Sequence, residues 1–300
     1  MSPKSQNTIN TWAAAMARKA SDTQTSYLEI PGGRIAYEVI GQGPLIVLSH
    51  GIGDLRQSYR FLAPKLAQAG YRVAFADMRG HGESSTGWDS ISRSDVGADL
   101  LALIRHLGGP AVIVGQSLSG GAATIAAAKA PELVSGIVEL GPFTRVPKTD
   151  LGAVFTVGLY RRGGLLMGRV KSSKSLKAWL KYLDLAIPAK PADWAEYSAA
   201  LEAKLTEPER MAQFVKTMDT NGSDAQAALP DVQCPALIVM GTADPDFPNP
   251  QAEAEAIVAA MPPGIATLTM LDGIGHYPHV ECPADTASLI TAFITERTNA

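Results

Sequence analysis

A serine flanked by small residues is the first candidate for chemistry in this sequence. Ser117 lies in GQSLSGG, directly after the apolar run AVIV and directly before the Ala-rich stretch AATIAAAKA. A strand, a tight turn and a helix in this order would project the serine hydroxyl above a sheet, as a nucleophile requires. The N-terminus of the helix would offer free N–H groups and a positive dipole end to a developing oxyanion. The segment therefore predicts nucleophilic attack by Ser117.

The same segment resembles the nucleophile elbow of the α/β-hydrolase superfamily, which reads Gly-x-Ser-x-Gly. Gly115 and Ser117 occupy the matching places, and Ser119 stands where the pattern has its second glycine. Some members, including the hydrolase-like hormone receptors of plants, look similar at this position. Ser119 is an alternative nucleophile, but it would lie inside the first helical turn and lose the strained exposure of an elbow.

The resemblance also implies an acid and a base later in the chain, in the order Ser, Asp, His. Asp244 follows the run ALIVMG in GTADPDFP, which looks like the family's acid loop, and His276 lies in DGIGHYPHVECP, which resembles its histidine loop. The implied roles are those of a triad, in which His276 takes the Ser117 proton and Asp244 holds the imidazole tautomer. Asp246 and His279 are the neighbouring alternatives, and they fit the motif less well.

Backbone donors for the oxyanion are implied by LSHGIGD, which follows the run PLIV and looks like the family's oxyanion loop. In that loop the residue after His-Gly donates its N–H, and here that residue is Ile52. Ile52 and Leu118 are therefore the predicted oxyanion donors. His50 is expected to shape this loop, and His81 and His106 are expected to belong to the scaffold.

The elements that must position these residues follow an α/β rhythm. Runs rich in β-branched residues alternate with helical patterns, which is typical of parallel strands joined by crossover helices. Two early runs, SYLEIP and RIAYEVIG, are separated by Gly32 and Gly33 and predict an antiparallel hairpin at the sheet edge. Six later runs predict buried strands: PLIVLSHG, YRVAFADM, AVIVGQS, VSGIVELG, ALIVMGTAD and ATLTMLDG. The predicted fold is a mostly parallel, twisted, eight-stranded sheet with helices on both faces.

A long segment interrupts this rhythm between Pro142 and Pro230, although connections in compact domains are usually about 2 to 6 residues long. We therefore predict a helical cap over residues 143–229, inserted into the hydrolase core. The predicted division is completed by an N-terminal extension and two core segments: residues 1–26, 27–142 and 230–300.

Three apolar stripes at helical spacing predict the helices of the cap: Leu176, Trp179, Leu180 and Leu183; Trp194, Tyr197, Leu201 and Leu205; and Met211, Phe214, Val215 and Met218. Thr206 and Glu209 have the spacing of a capping box for the third helix, and Asn221-Gly222 is expected to follow its end. From Arg145 to Lys181 the segment is strongly basic. A solvated surface is the favoured interpretation, and attraction for an acidic substrate or an anionic surface is the alternative.

Composition limits the class of protein. Of the 300 residues, 46% are hydrophobic and 18% are charged, and the net charge of -3 gives no reason to expect nucleic acid as a partner. The N-terminus lacks a secretory signal and no apolar run approaches ~18 residues, so we expect a soluble, cytoplasmic protein without stable membrane insertion. Cys234 and Cys282 are expected to be free thiols, although a single disulfide stays open. Four residues at helical spacing predict a short N-terminal helix: Ile9, Trp12, Ala13 and Met16.

The predicted function is hydrolysis of a small or medium carboxylic ester or lactone through an acyl-Ser117 intermediate. Serine argues against the haloalkane dehalogenase and epoxide hydrolase branches, which the superfamily runs with aspartate. Carbon–carbon bond hydrolysis of the ring-cleavage type and a ligand receptor on the hydrolase scaffold are the alternatives. No metal or organic cofactor is expected, because no His/Cys cluster has ligand spacing and no phosphate loop occurs. The expected partner is a small ester-like substrate.

Overall fold

Eight strands form one sheet in the computed structural model, which describes residues 24–146 and 150–298. The strands are β1 (Ser26–Ile30), β2 (Gly33–Ile40), β3 (Leu45–Ser49), β4 (Arg72–Ala76), β5 (Ala111–Gln116), β6 (Val134–Leu140), β7 (Ala236–Gly241) and β8 (Ala266–Leu271). Their order across the sheet is β1-β2-β4-β3-β5-β6-β7-β8. β2 pairs antiparallel with β1 and β4, and the other pairs are parallel. The predicted eight-stranded, mostly parallel sheet is confirmed.

Helices connect most of the strands. Those in the described residues are α1 (Leu62–Gln68), α2 (Arg93–Leu107), α3 (Leu118–Lys129), α4 (Leu151–Thr156), α5 (Gly158–Ser173), α6 (Leu176–Ala186), α7 (Trp194–Thr206), α8 (Arg210–Thr217), α9 (Ser223–Ala228), α10 (Pro250–Ala260), α11 (Pro278–Glu281) and α12 (Pro283–Arg297). None of them has the length and apolar content that crossing a bilayer requires.

The predicted hairpin at the sheet edge is confirmed, with one difference in its turn. Gly32 lies in the turn with a φ of 92°, whereas Gly33 is already the first residue of β2. The register pairs Gly33 with Ile30 and Ser26 with Tyr37. β1 therefore begins at Ser26, and the stripe predicted over residues 9–16 lies outside the described residues.

The alternation of side chains along the strands divides the core between the two faces of the sheet. Val47 and Ile113 face a cluster that includes α2, α3 and α10. Ile46 and Val112, one position earlier in each strand, face a cluster that includes α1 and α12. Burying a side chain of this size stabilises the fold by about 1.5–3 kcal/mol. Both faces are thus covered, which explains why these strands are apolar at every position.

The segment between β6 and β7 contains the three predicted helices as α6, α7 and α8, and three that the sequence did not predict, α4, α5 and α9. α4 and α9 have only 6 residues each, too few for an apolar stripe. α5 was missed because it contains glycines, which disfavour helix: Gly158, Gly163, Gly164 and Gly168. Three aromatic and aliphatic side chains from α6 and α8 lie in one buried cluster: Trp179, Leu183 and Phe214. Most of the basic side chains of α5 and α6 are exposed, as a solvated surface predicts.

The capping box predicted for the third helix is wrong. Thr206 is the last residue of α7, and its hydroxyl donates to the carbonyl of Ala203 within that helix. Glu209 precedes α8 in a left-handed conformation with a φ of 67° and makes no capping hydrogen bond through its side chain. Thr206 therefore ends one helix and Glu209 precedes the next, so the two residues do not cap a single helix together. α8 also ends at Thr217, before Asn221-Gly222.

Cys234 and Cys282 are both free thiols, so the disulfide that the sequence left open is absent between them. Cys234 is buried, and burial raises the pKa of its thiol to about 11. It behaves as a small apolar side chain of the core.

Candidate active site

The carboxyl ends of the parallel strands lie side by side at one edge of the sheet. The register pairs Ser49 with Gly115 and Gln116 with Leu140, so the loops after β3, β5 and β6 leave the sheet together. Such an edge is where open α/β sheets bind ligands. The predicted site residues all follow these ends or those of β7 and β8.

Ser117 occupies a strained turn between β5 and α3. Its φ of 56° and ψ of -119° lie outside the regions that non-glycine residues favour, at a cost of about 1–3 kcal/mol. The N–H of Ser117 donates to the carbonyl of Leu140 at 2.9 Å, and its own carbonyl accepts from Gly120 at 3.0 Å. A Cβ at Gly115 would meet the carbonyl oxygen of Ser119 at 2.1 Å. The glycine therefore permits the close approach that the turn requires.

Ser119, the alternative nucleophile, is held in hydrogen bonds between the sheet and α3. It is fully buried, and its hydroxyl donates to the carbonyl of His50 at 2.6 Å and lies 2.9 Å from the hydroxyl of Ser49. It joins α3 to the end of β3. Ser117, in contrast, lines the cavity. Serine in place of the second glycine thus adds a hydrogen bond at no cost to the elbow.

His276 and Asp244 are in direct contact. Nδ1 of His276 lies 2.7 Å from Oδ2 of Asp244, and both side chains are buried. Because the carboxylate accepts, Nδ1 carries a proton, and Nε2 is the nitrogen that accepts one when the ring is neutral. The backbone of His276 is fixed at both ends, since its N–H donates to Ala186 and its carbonyl accepts from the amide of Gln116.

Asp246, the alternative acid, lies on the other side of the same ring. Its Oδ2 is 3.5 Å from Nε2 of His276, and it accepts a hydrogen bond of 2.5 Å from the hydroxyl of Tyr182. Burial alone would lower the pKa of His276, but Asp244 and Asp246 raise it to about 9. Burial raises the pKa of Asp246 to about 6, against the charge of His276. Two carboxylates therefore favour the protonated imidazole.

A cation could also be held here, because ligand atoms of Asp244, Asp246 and His276 lie within 4.8 Å of one another. The donor set fits poorly, since Asp246 is already bound by Tyr182 and His276 Nδ1 by Asp244. A metal ion would have to displace both hydrogen bonds. The group is better suited to holding a proton.

The loop after β3 is fixed by two neutral histidines. Nδ1 of His50 donates to the carbonyl of Gly51 at 2.7 Å, and Nε2 of His81 accepts from the N–H of Gly53 at 3.0 Å. Burial lowers the pKa of His50 to about 4 and that of His81 to about 3. His50 shapes the loop as predicted, and Ile52, held between these contacts, lines the cavity.

Leu118 also lines the cavity and is the first residue of α3. Its N–H therefore has no acceptor within the helix. Ile52 and Leu118 thus line the same cavity as Ser117 and His276. The arrangement brings together the five residues that the sequence selected, since Asp244 is bonded directly to His276.

The remaining histidines lie elsewhere. His279 is fully buried, stacks on Tyr59 with ring centroids 4.6 Å apart, and finds no hydrogen-bond partner for either ring nitrogen within the described part of the chain. Burial lowers its pKa to about 3. Nε2 of His106 pairs with the hydroxyl of Tyr37, far from the cavity lining. His106 thus belongs to the scaffold, as expected, and His279, the alternative to His276, packs beside the site without a polar partner in the described residues.

The cavity has a volume of about 320 Å³ and is mostly apolar. Sequence reasoning missed four of the residues that line it: Arg93, Phe143, Tyr160 and Tyr182. Phe143 lies edge-on to the imidazole of His276, with ring centroids 5.8 Å apart. No motif signals these residues, because they come from α2, α5, α6 and the start of the inserted segment.

Comparisons with known proteins agree with this geometry. A sequence model described as the alpha/beta hydrolase family matches residues 46–289. 2-(Acetamidomethylene)succinate hydrolase of Mesorhizobium japonicum is 30% identical over 87% of this chain and 92% of its own. Epoxide hydrolase A of Mycobacterium tuberculosis is 26% identical over 84% of this chain and 90% of its own. The enol-lactonase of Burkholderia xenovorans is 20% identical, with a TM-score of 0.71 over 90% of this chain and all of its own. This chain is a hydrolase that belongs to the alpha/beta hydrolase family.

Proposed function

We propose that the chain is a serine hydrolase that cleaves a small or medium carboxylic ester or lactone through an acyl-Ser117 intermediate. The main support is the position of Ser117. It lies on a strained turn and lines the same cavity as His276, whose Nδ1 donates to Asp244. Such a constellation is recognised by its geometry and by the role of each member.

In the first half of the reaction, the Oγ of Ser117 attacks the carbonyl carbon while Nε2 of His276 takes its proton. The carbonyl oxygen becomes an oxyanion, which the N–H groups of Ile52 and Leu118 stabilise. Each donor of this kind contributes about 3–4 kcal/mol in comparable sites. The oxyanion then collapses, the ester C–O bond breaks, and His276 gives its proton to the leaving alcohol.

In the second half, water attacks the acyl-Ser117 ester and His276 accepts one of its protons. Collapse of the second tetrahedral intermediate releases the acid, and the proton returns to Ser117. Asp244 stabilises the imidazolium in both halves and keeps its own charge. The helical cap closes over the carboxyl edge of the sheet and supplies the wall that recognises the substrate.

The relatives support this proposal at different levels. Two of them are named for hydrolysis of a substituted succinate and of an enol-lactone, both of which are small molecules. A third is named an epoxide hydrolase, and the resemblance assigns aspartate to the nucleophile of that branch. Ser117 favours acyl transfer over epoxide opening, because a hydroxyl attacking an ester forms an acyl ester that water then hydrolyses, whereas an aspartate would form an anhydride.

The test is hydrolysis of short and medium-chain p-nitrophenyl esters by the wild type, Ser117→Ala and Ser119→Ala, with mass spectrometry after a fluorophosphonate probe. We expect saturable turnover and a label on Ser117, both lost in Ser117→Ala, with a fall of about 10⁴-fold or more. Ser119→Ala is the matched control and keeps its label on Ser117. If the wild type neither turns over nor labels, the serine hydrolase proposal is wrong and a ligand-binding scaffold takes its place.

A further inference from the structure

One permanent cation lines the cavity among the described residues, and the proposed mechanism gives it no role. Arg93 follows the N-cap of α2 and is only 5% exposed. Its Nε donates to the carbonyl of Phe143 at 2.7 Å. Its Nη1 is buried and has no hydrogen-bond partner in residues 24–146 or 150–298. A charged donor that is buried without a partner is unfavourable and rare in folded proteins, which indicates that Arg93 is kept for a ligand.

The space for this arginine is created by the helix that begins at the elbow. A Cβ at Gly121 would lie 2.8 Å from Cδ of Arg93 and 3.0 Å from the carbonyl oxygen of Phe143. The glycine therefore lets the side chain of Arg93 lie against the first turn of α3. Phe143 ties the same place to the elbow, because its N–H donates to the carbonyl of Ser117 at 3.1 Å. Arg93 is thus built into the reactive end of the cavity.

Arg93 has no direct ionic partner in Asp224 or Asp246. Asp224 is the carboxylate that acts on it electrostatically, but Oδ2 of Asp224 accepts from the N–H and the hydroxyl of Ser94. Leaving Glu253 aside, no carboxylate of the described residues lies within 4.0 Å of the guanidinium of Arg93. Glu253 forms an ion pair with Arg145. Asp246, the anionic side chain of the cavity wall, is engaged by Tyr182 and His276. Burial lowers the pKa of Arg93, which shows how poorly its charge is solvated.

We propose that Arg93 binds a carboxylate of the substrate while Ser117 attacks the ester carbonyl, so that the preferred substrates are esters or lactones whose acyl part carries a second carboxylate. The proposal rests on the proposed function, and it names the substrate class. A guanidinium presents donors in a planar fork that matches a carboxylate, and the hydrogen bond is strengthened by both charges. The cavity of about 320 Å³ suits a molecule the size of a dicarboxylic half-ester.

The test compares two small esters of nearly equal shape, ethyl hydrogen succinate and ethyl succinamate, which differ in a carboxylate and a neutral amide. Proton release at constant pH measures kcat and KM for each ester. We expect the wild type to prefer the acid roughly 10- to 100-fold in kcat/KM, mainly through KM. Arg93→Gln removes that preference. Arg93→Lys retains part of it, because the charge remains but the fork is lost.

Arg169→Gln is the matched control, since it removes an exposed arginine of α5 and leaves the preference intact. Equal rates for both esters in the wild type, or an unchanged preference in Arg93→Gln, would overturn the proposal. Thermal unfolding of each variant shows whether it folds. If Arg93→Gln does not fold, the wild-type ratio and Arg93→Lys decide.

Binding of succinate to Ser117→Ala, measured by calorimetry, separates this proposal from the serine hydrolase mechanism. We expect roughly 10-fold weaker binding when Arg93→Gln is added. If neither ester is hydrolysed but succinate binds through Arg93, the hydrolase mechanism fails and the anion site stands. If esters are hydrolysed and succinate binds equally well without Arg93, the anion site fails alone.

Discussion

Buried histidines occur in two regions of this protein, and their surroundings give them opposite properties. In the loops after β3 and β4, His50 and His81 meet backbone groups, and burial lowers the pKa of each. In the loop after β8, two carboxylates face His276 and raise its pKa to about 9. Burial alone keeps a histidine neutral. Asp77 lies 3.8 Å from Nε2 of His50 but is paired with Arg56, and the pKa of His50 stays low. A carboxylate bonded directly to the ring, as Asp244 is to His276, makes the histidine a proton acceptor.

A large contrast in pKa also separates His276 from His279, which lie in the same segment between β8 and α12. His279 follows His276 by three positions and is also buried, yet no carboxylate in the described part of the chain bonds to it, and its pKa falls to about 3. It stacks on Tyr59 instead. The two residues therefore form a natural pair for asking which properties depend on the carboxylates and which on burial.

The largest expected effect separates these two histidines in activity. His276→Ala should lower kcat for a p-nitrophenyl ester by about 10⁴-fold or more, because the general base is lost. His279→Leu should stay within about tenfold of the wild type, because its ring packs against Tyr59 and Tyr277 and does not itself line the cavity. Steady-state kinetics on both purified variants measures the difference. Comparable losses in the two variants would contradict the assignment of the base to His276.

An intermediate effect is expected in stability, where His279 should matter more than it does in activity. Its folded-state pKa of about 3 lies below the ordinary value of 6.5, so the unfolded chain binds a proton first as the pH falls. Stability from this residue is present above pH 6.5 and is lost below it, by about 2 kcal/mol between pH 6.5 and 5. His276, with its raised pKa, contributes in the opposite direction.

Urea unfolding at pH 7 and pH 5 tests this expectation. The free energy of unfolding of His279→Leu should fall by about 2 kcal/mol less than that of the wild type over this interval. At pH 7 the variant should be at least as stable, since two unpartnered ring nitrogens disappear. An identical pH dependence in both proteins would contradict the lowered pKa of His279, because it would mean that folding leaves this pKa unchanged.

The sequence predicted the sheet, and it selected five residues that the structure places together, because each choice follows from a local pattern. Gly115 and the apolar strand before it define the elbow, and the carboxyl ends of parallel strands must meet at one edge. It did not predict Arg93, because nothing in the spacing shows that Gly121 and Phe143 gather around it. It also missed α5, whose glycines disfavour helix and whose formation depends on tertiary contacts.

The position of Asp246 was the hardest to assign from sequence, since Asp244 lies in the same loop two residues earlier. The structure gives the two carboxylates different atoms of one ring: Asp244 contacts Nδ1 and Asp246 lies beside Nε2. Asp244 is therefore the carboxylate that we propose orients the imidazole, whereas Asp246 lies beside the nitrogen that would receive the proton of Ser117. Only the first position is compatible with the orienting role in a triad.

The smallest expected effect follows from that difference and concerns the pH profile. Asp246 helps to raise the pKa of His276, and a base acts only when it is neutral, so activity should rise as the pH passes through this pKa. Asp246→Asn should move the acidic limb of kcat/KM for a neutral ester about one pH unit lower, and raise activity at pH 7 by up to roughly tenfold.

Asp272→Asn, which removes an exposed carboxylate beyond β8, is the control and should leave the limb in place. A limb that stays unmoved in Asp246→Asn, or a loss as large as that of Asp244→Asn, about 10⁴-fold, would make Asp246 part of the orienting machinery.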